Sequence, residues 1–300
     1  MKKSSVIRGG ISTLALAGLL VNSAFADATS TSTQNVNTVV PSLLDKIAVT
    51  YVNAFTGPAV TSLGSMYQAS KLDGTTDTTT PLLFENTLGA IYKLTDHIKI
   101  GPTFYWQYKV GGVDNLLMGG DSYVKVSHNA LITKGAYTLT GEARYYVPIT
   151  EASRDKRSMG AIRVIQNQNY DIPNTKWSVG VYSFVQKYFY NQYEAGKGFK
   201  GTAPWSLRAY AGPSVTYAIT DSVQAALLYE ATARVRFGKS VFSGWENPNP
   251  DGAPSTDIEP SVNWDITKSI SLNPYLDIPV SGRVALDTTT INANFIWKLL

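Results

Sequence analysis

Two histidines and no cysteine narrow the chemistry open to this 300-residue chain. Nucleophilic hydrolysis needs a base such as imidazole held within reach of a hydroxyl or thiol. His97 falls in the short segment KLTDHIK, a turn, and His128 falls near midspan of an alternating segment, with no serine two residues away on its own face. Without cysteine there is no disulfide, no thiolate and no zinc site built on sulfur. The loop WENPNPDG carries Glu246, Asn249 and Asp251, possible calcium ligands, but the same residue types are ordinary turn formers. No cofactor or metal centre is expected. What the chain does offer is charge at alternating positions. Lys99, Lys109, Lys125, Arg144, Arg163, Arg208, Arg234 and Arg236 share one parity on its middle segments. Asp257, Glu259, Asp265 and Asp277 gather late, with Glu85, Glu142 and Glu230 elsewhere, and Tyr105, Tyr182 and Tyr210 have the same parity as these charges. Such a set can attract and orient a polar or charged solute, or it can tie itself up in salt bridges. Arg234 and Arg236 precede a hairpin whose return segment carries Asp257 and Glu259, so pairing is expected there.

The elements that must hold these residues are strands. In IKIGPTFYWQYKV, positions 98–110, Ile98, Ile100, Pro102, Phe104, Trp106, Tyr108 and Val110 alternate with Lys99, Gly101, Thr103, Tyr105, Gln107 and Lys109. Side chains alternate faces along a strand, so one face is apolar and the other polar. The pattern recurs near 46–55, 82–92, 122–132, 137–147, 160–170, 177–186, 205–217, 223–235, 257–266, 270–278 and 291–298. The 160–170 segment is weaker, with Gln166 and Gln168 on its oily side. Five connections are tight and alike: KLTDHIK, LITKGAY, PNTKWSV, AITDSVQ and DITKSIS each place Thr, then Asp or Lys, between two strands. Between them lie six longer polar loops, near 57–80, 111–121, 149–159, 191–204, 238–256 and 279–288. Eleven connections join twelve strands.

The apolar face looks outward into lipid. Aromatic residues on it sit at both ends of the strands: Tyr92, Tyr137, Trp177, Tyr217, Trp264 and Trp297 by the short turns, and Phe55, Phe84, Trp106, Tyr145 and Trp205 toward the loops. Leu, Val and Ala fill the middle. Two aromatic girdles around an apolar band match the two interfaces of a bilayer. Backbone amides in lipid must all be paired, which an open sheet cannot do and a closed one can.

The N-terminus fits this setting. Lys2, Lys3 and Arg8 precede an apolar run from Ile11 to Val21 and a small-x-small site, Ala24-Phe25-Ala26. This reads as a secretory signal peptide over 1–26, followed by a flexible polar tail over 27–42 and a barrel over 43–300. The leader holds three of the 26 basic residues, leaving 23 against 22 acidic ones, so the basic balance makes no case for nucleic acid.

The chain resembles the bacterial outer-membrane β-barrel family, specifically its twelve-stranded porin- and channel-like members. The last strand, INANFIWKLL, is similar to the C-terminal signal that such barrels present to their assembly machinery, although it ends on Leu299-Leu300 rather than an aromatic. The resemblance implies an all-β, closed antiparallel transmembrane barrel in the outer membrane, with short periplasmic turns and long extracellular loops. Its partners would be membrane lipid, the assembly machinery and small polar solutes. Some twelve-stranded relatives are phospholipases that pair Ser with His on the lipid face, and His128 lacks that company, so no enzyme is expected. Twelve strands lie between barrels of eight, filled by side chains, and wide porins. A narrow channel and a plugged, adhesin-type barrel acting through its loops are both open readings, with a lipid-modifying enzyme more remote.

With no native cysteine, single cysteines from Ile98 to Val110 should react alternately with water-soluble and lipid-soluble maleimides. A helical or aperiodic labelling pattern would defeat the strand assignment.

Overall fold

The computed structural model describes residues 46–60, 82–110, 116–191, 204–240, 244–246, 255–280 and 289–300. The expected signal peptide and tail lie outside the described residues. Twelve strands follow the alternating segments: β1 Ile47–Ala59, β2 Leu82–Lys93, β3 Ile98–Val110, β4 Tyr123–Lys134, β5 Tyr137–Tyr146, β6 Ser158–Asp171, β7 Trp177–Tyr190, β8 Trp205–Ala218, β9 Val223–Arg236, β10 Ser255–Asp265, β11 Ile270–Pro279 and β12 Thr290–Lys298. Each pairs antiparallel with its neighbours in the chain, and β1 pairs with β12, so the sheet closes into a barrel. The seam runs from Thr50–Lys298 to Ala59–Thr290, and Leu299 N–H donates to Val49 O at 2.8 Å.

Burial is inverted relative to a water-soluble protein. Phe104, Val164, Val185, Leu227 and Val262 are exposed on the outer face, while Arg163, Glu259, Asn273 and Asn294 are buried on the inner one. A continuous exposed apolar band of this kind is stable only against lipid.

The repeated threonines cap the tight turns. Thr95 Oγ1 accepts the backbone N–H of His97 and Ile98, at 3.2 and 2.9 Å. Thr220 serves Ser222 and Val223, Thr267 serves Ser269 and Ile270, and Thr175 serves Trp177. A hydroxyl bonding two or three residues ahead mimics a backbone turn. The fifth connection turns instead on Gly135, at φ 59°.

The loop end has structure that alternation does not announce. Residues 116–119 pair back onto the loop half of β3, Lys109 against Leu116 through Trp106 against Gly119. A short helix, α1 Glu151–Asp155, is capped by Thr150, whose Oγ1 accepts Ser153 N–H at 3.2 Å. Asp121 accepts Thr150 N–H at 3.1 Å and Thr150 Oγ1–H at 2.9 Å, tying the β3–β4 connection to the β5–β6 connection.

One close approach inside the wall demands glycine. A Cβ at Gly101 would lie 1.9 Å from Ala90 O, a backbone atom of the paired strand. Gly101→Val should therefore destabilise the barrel by about 1–3 kcal/mol, the usual range for overpacking. Urea unfolding followed by tryptophan fluorescence would show it, and an unchanged midpoint would refute the contact.

Candidate functional site

Strand register lines up the basic residues. Lys125 pairs with Arg144, Arg144 with Arg163, Arg163 with Gln186, Gln186 with Arg208 and Arg208 with Arg234. These positions form one continuous row across the inner face of β4 to β9. Arg144, Arg163, Gln186, Arg208 and Arg234 are all buried from the outside. A buried charge must be paired or otherwise stabilised.

Carboxylates do only part of this. Glu142 bonds Arg144 Nε and lies 3.4 Å from Lys125 Nζ. Arg163 donates from Nε and Nη2 to Gln186 Oε1, at 2.8 and 2.5 Å. Aromatic faces do the rest. The guanidinium carbon of Arg144 lies 4.8 Å from the Tyr123 ring centre, and that of Arg163 lies 4.4 Å from Phe184 and 5.0 Å from Tyr146. Arg208 lies 5.2 Å from Phe184, and Arg234 and Arg236 lie 5.5 and 4.0 Å from Trp205. Ring quadrupoles attract a cation without neutralising it. Arg163 Nη1, Arg208 Nε and Arg234 Nε remain buried with no protein partner among the described residues.

The aromatic support is itself packed. Phe184 and Tyr210 stack at 5.1 Å and 3°, and Tyr182 meets both edge-on at 6.2 and 5.7 Å. With Ile165 they form an apolar cluster on the inner face. This cluster narrows one side of the interior.

The acids face a different arc. Glu230 pairs with Asp257, and Glu259 is two residues further along β10 on the same face. Between the pairs Ile258–Ile278 and Ser261–Tyr275, Glu259 comes abreast of Asp277. Tyr210 OH donates to Glu230, and Tyr105 OH donates to Glu85, which also accepts from Gln107 Nε2 at 2.6 Å. A neutral amide chain continues the wall: Asn294 Nδ2 donates to Asn273 Oδ1 at 3.2 Å, and Asn273 Nδ2 to Asn263 Oδ1 at 2.7 Å. Lys99 and Lys109 stand on the inner face of β3, across from Lys93 and Leu83.

Two expectations need correction. Arg234 does not pair with Asp257 or Glu259, because register sets it between Arg208 and Glu246 instead. His128 does lie midway along β4, where it pairs with Ile98, the first residue of β3, and with Gly141, but it has company. A bulge follows, in which three residues of β4 oppose one of β5 between the pairs His128–Gly141 and Ile132–Leu139. His128 is not alone, since its ring stacks on His97 at 5.7 Å and 18°. Phe184 and Ile165 are inner-face residues that polarity did not reveal. Their parity with Gln186 and Arg163 was the available signal.

No family model matches the chain, and no curated protein matches it. Its fold is similar to that of several solved outer-membrane barrels. An outer membrane channel from Pseudomonas putida F1 aligns over 85% of this chain and 96% of its own, at 12% identity and a TM-score of 0.55. The NanC porin aligns over 84% and 100%, at 10% identity and 0.46. The KdgM porin, solved with disordered oligogalacturonate, aligns over 84% and 99%, at 9% identity and 0.41. At these identities the likeness concerns the fold: a closed twelve-stranded antiparallel barrel.

If the basic row lines an ion path, Arg144→Ala with Arg163→Ala should move the reversal potential in a salt gradient toward cation preference. An unchanged reversal potential with conductance intact would place these arginines off the path.

Proposed function

We propose that this protein is an outer-membrane channel, narrow and porin-like, for small polar solutes. The observation that carries the reading is the row Lys125–Arg144–Arg163–Gln186–Arg208–Arg234 on the inner face, only partly neutralised, with a carboxylate cluster on β9 to β11. A purely structural barrel would gain more from apolar filler, since unneutralised buried charges cost stability. Charges on opposing arcs create a transverse field, which favours zwitterionic and weakly anionic solutes over bulky cations and weakens with salt. Lys99, Lys109, Tyr105, Tyr182, Tyr210 and Asp277 are the further lining residues of this path. The short turns face the periplasm and the long loops the exterior, and the strand INANFIWKLL engages the assembly machinery.

The similarity of fold to an outer membrane channel supports this reading. The rival is a plugged barrel that acts through its loops. It draws on the tight interior, where Tyr182 and Asn273 are 1% and 0% exposed. Planar-bilayer recording separates the two. A small, steady conductance that falls for bulky cations is expected, whereas complete absence of conductance would favour the plugged barrel.

A further inference from the structure

The interior beside the basic row holds a half-open cavity of about 210 Å³, walled by β1 to β7 toward the turn end. Lys99, Lys125 and Arg144 border it with a single carboxylate, Glu142. That carboxylate is shared between Lys125 and Arg144, so these two alone bring two positive charges against one negative. Three more polar atoms belong to residues of the same wall. Thr103 Oγ1, Asn167 Oδ1 and Tyr182 OH are each buried without a protein partner among the described residues, and the parent side chains are 4%, 7% and 1% exposed. Buried polar atoms are normally satisfied, so a cluster of orphans beside one cavity marks a place for a guest or for water.

The chemistry of the orphans restricts the guest. The cations ask for an anionic group. Asn167 Oδ1 can only accept and would repel a bare anion. It needs an O–H or N–H donor, while Tyr182 OH and Thr103 Oγ1 can donate to either kind of oxygen. Val52, Ile91 and Ile165 line the rest, where a short carbon skeleton can lie. Size sets the scale, since the space is well above the minimum for one water and suits a small molecule.

We propose that this cavity is a binding site for small carboxylates that also carry a hydroxyl or amino group. The carboxylate sits against Lys99, Lys125 and Arg144, and the donor reaches Asn167. The site deepens the channel reading by naming a class of solute, and it rests on that reading only for its use in transport. Plain carboxylates and plain polyols each satisfy half of it.

The test uses the full-length protein in detergent and needs no current. Titration calorimetry with D-glycerate, propionate and glycerol should rank glycerate first. Asn167→Leu should weaken glycerate roughly tenfold, as loss of a hydrogen bond in a charged site would, and leave propionate unchanged. Tyr182→Phe removes one oxygen and keeps the ring, so it reports on the site even if the Asn167 variant does not fold. Lys125→Met should weaken both acids. Equal or absent binding of all three probes would mean that the cavity holds only water, and the proposal would fall even if the bilayer records a pore. Glycerate-selective binding without conductance would sustain the site and overturn the channel.

Discussion

Lipid offers the backbone no hydrogen-bond partners, and everything else in this molecule follows from that. Each strand must find a neighbour on both sides, so the sheet has to meet itself between β1 and β12. Once the ring is shut, alternation leaves no choice about where side chains go. Half of them face hydrocarbon and must be apolar, and the other half face one another across a confined space. The inner set can then be polar without loss of the membrane anchor. The charges of this chain are buried because its oil is outside.

Confinement raises the cost of every inner charge, and the structure meets that cost in two different ways. On β4 and β5 it uses a carboxylate, with Glu142 holding two cations. From β6 to β9 it relies on rings, with Phe184 and Trp205 each lying near two guanidinium groups. The two solutions are not equivalent. An ion pair cancels the field that a passing solute would feel, whereas a ring face steadies the cation and leaves its field in place. That difference is why an apolar residue such as Phe184 belongs on the polar side of β7.

Much of this was legible in the sequence, because a period of two survives any barrel geometry. The strand Ile98–Val110 has the bounds its alternation predicts, and the repeated Thr-Asp and Thr-Lys turns lie where the hairpins bend. What alternation cannot carry is register. Whether Asp257 stands beside Arg234 or beside Glu230 depends on how far two strands slide past each other, and loop length conceals that offset. The bulge after His128 is invisible for the same reason, and with it the approach of His97. Phe184 was misleading in another way, since polarity identifies inner faces only until an apolar residue is used there as a support. The short helix Glu151–Asp155 lies in a loop too brief to show helical periodicity.

The threonine-capped turns have a consequence for how such a wall changes over generations. Thr95, Thr220 and Thr267 satisfy the backbone of their own bend and ask nothing of the next hairpin. A hairpin closed in this way is a self-sufficient unit. A gene that copies or drops one changes the girth of the wall by two strands and leaves the remaining bends intact. The ancestry of this molecule can therefore be sought in likeness between its own hairpins, and its future variation in their number.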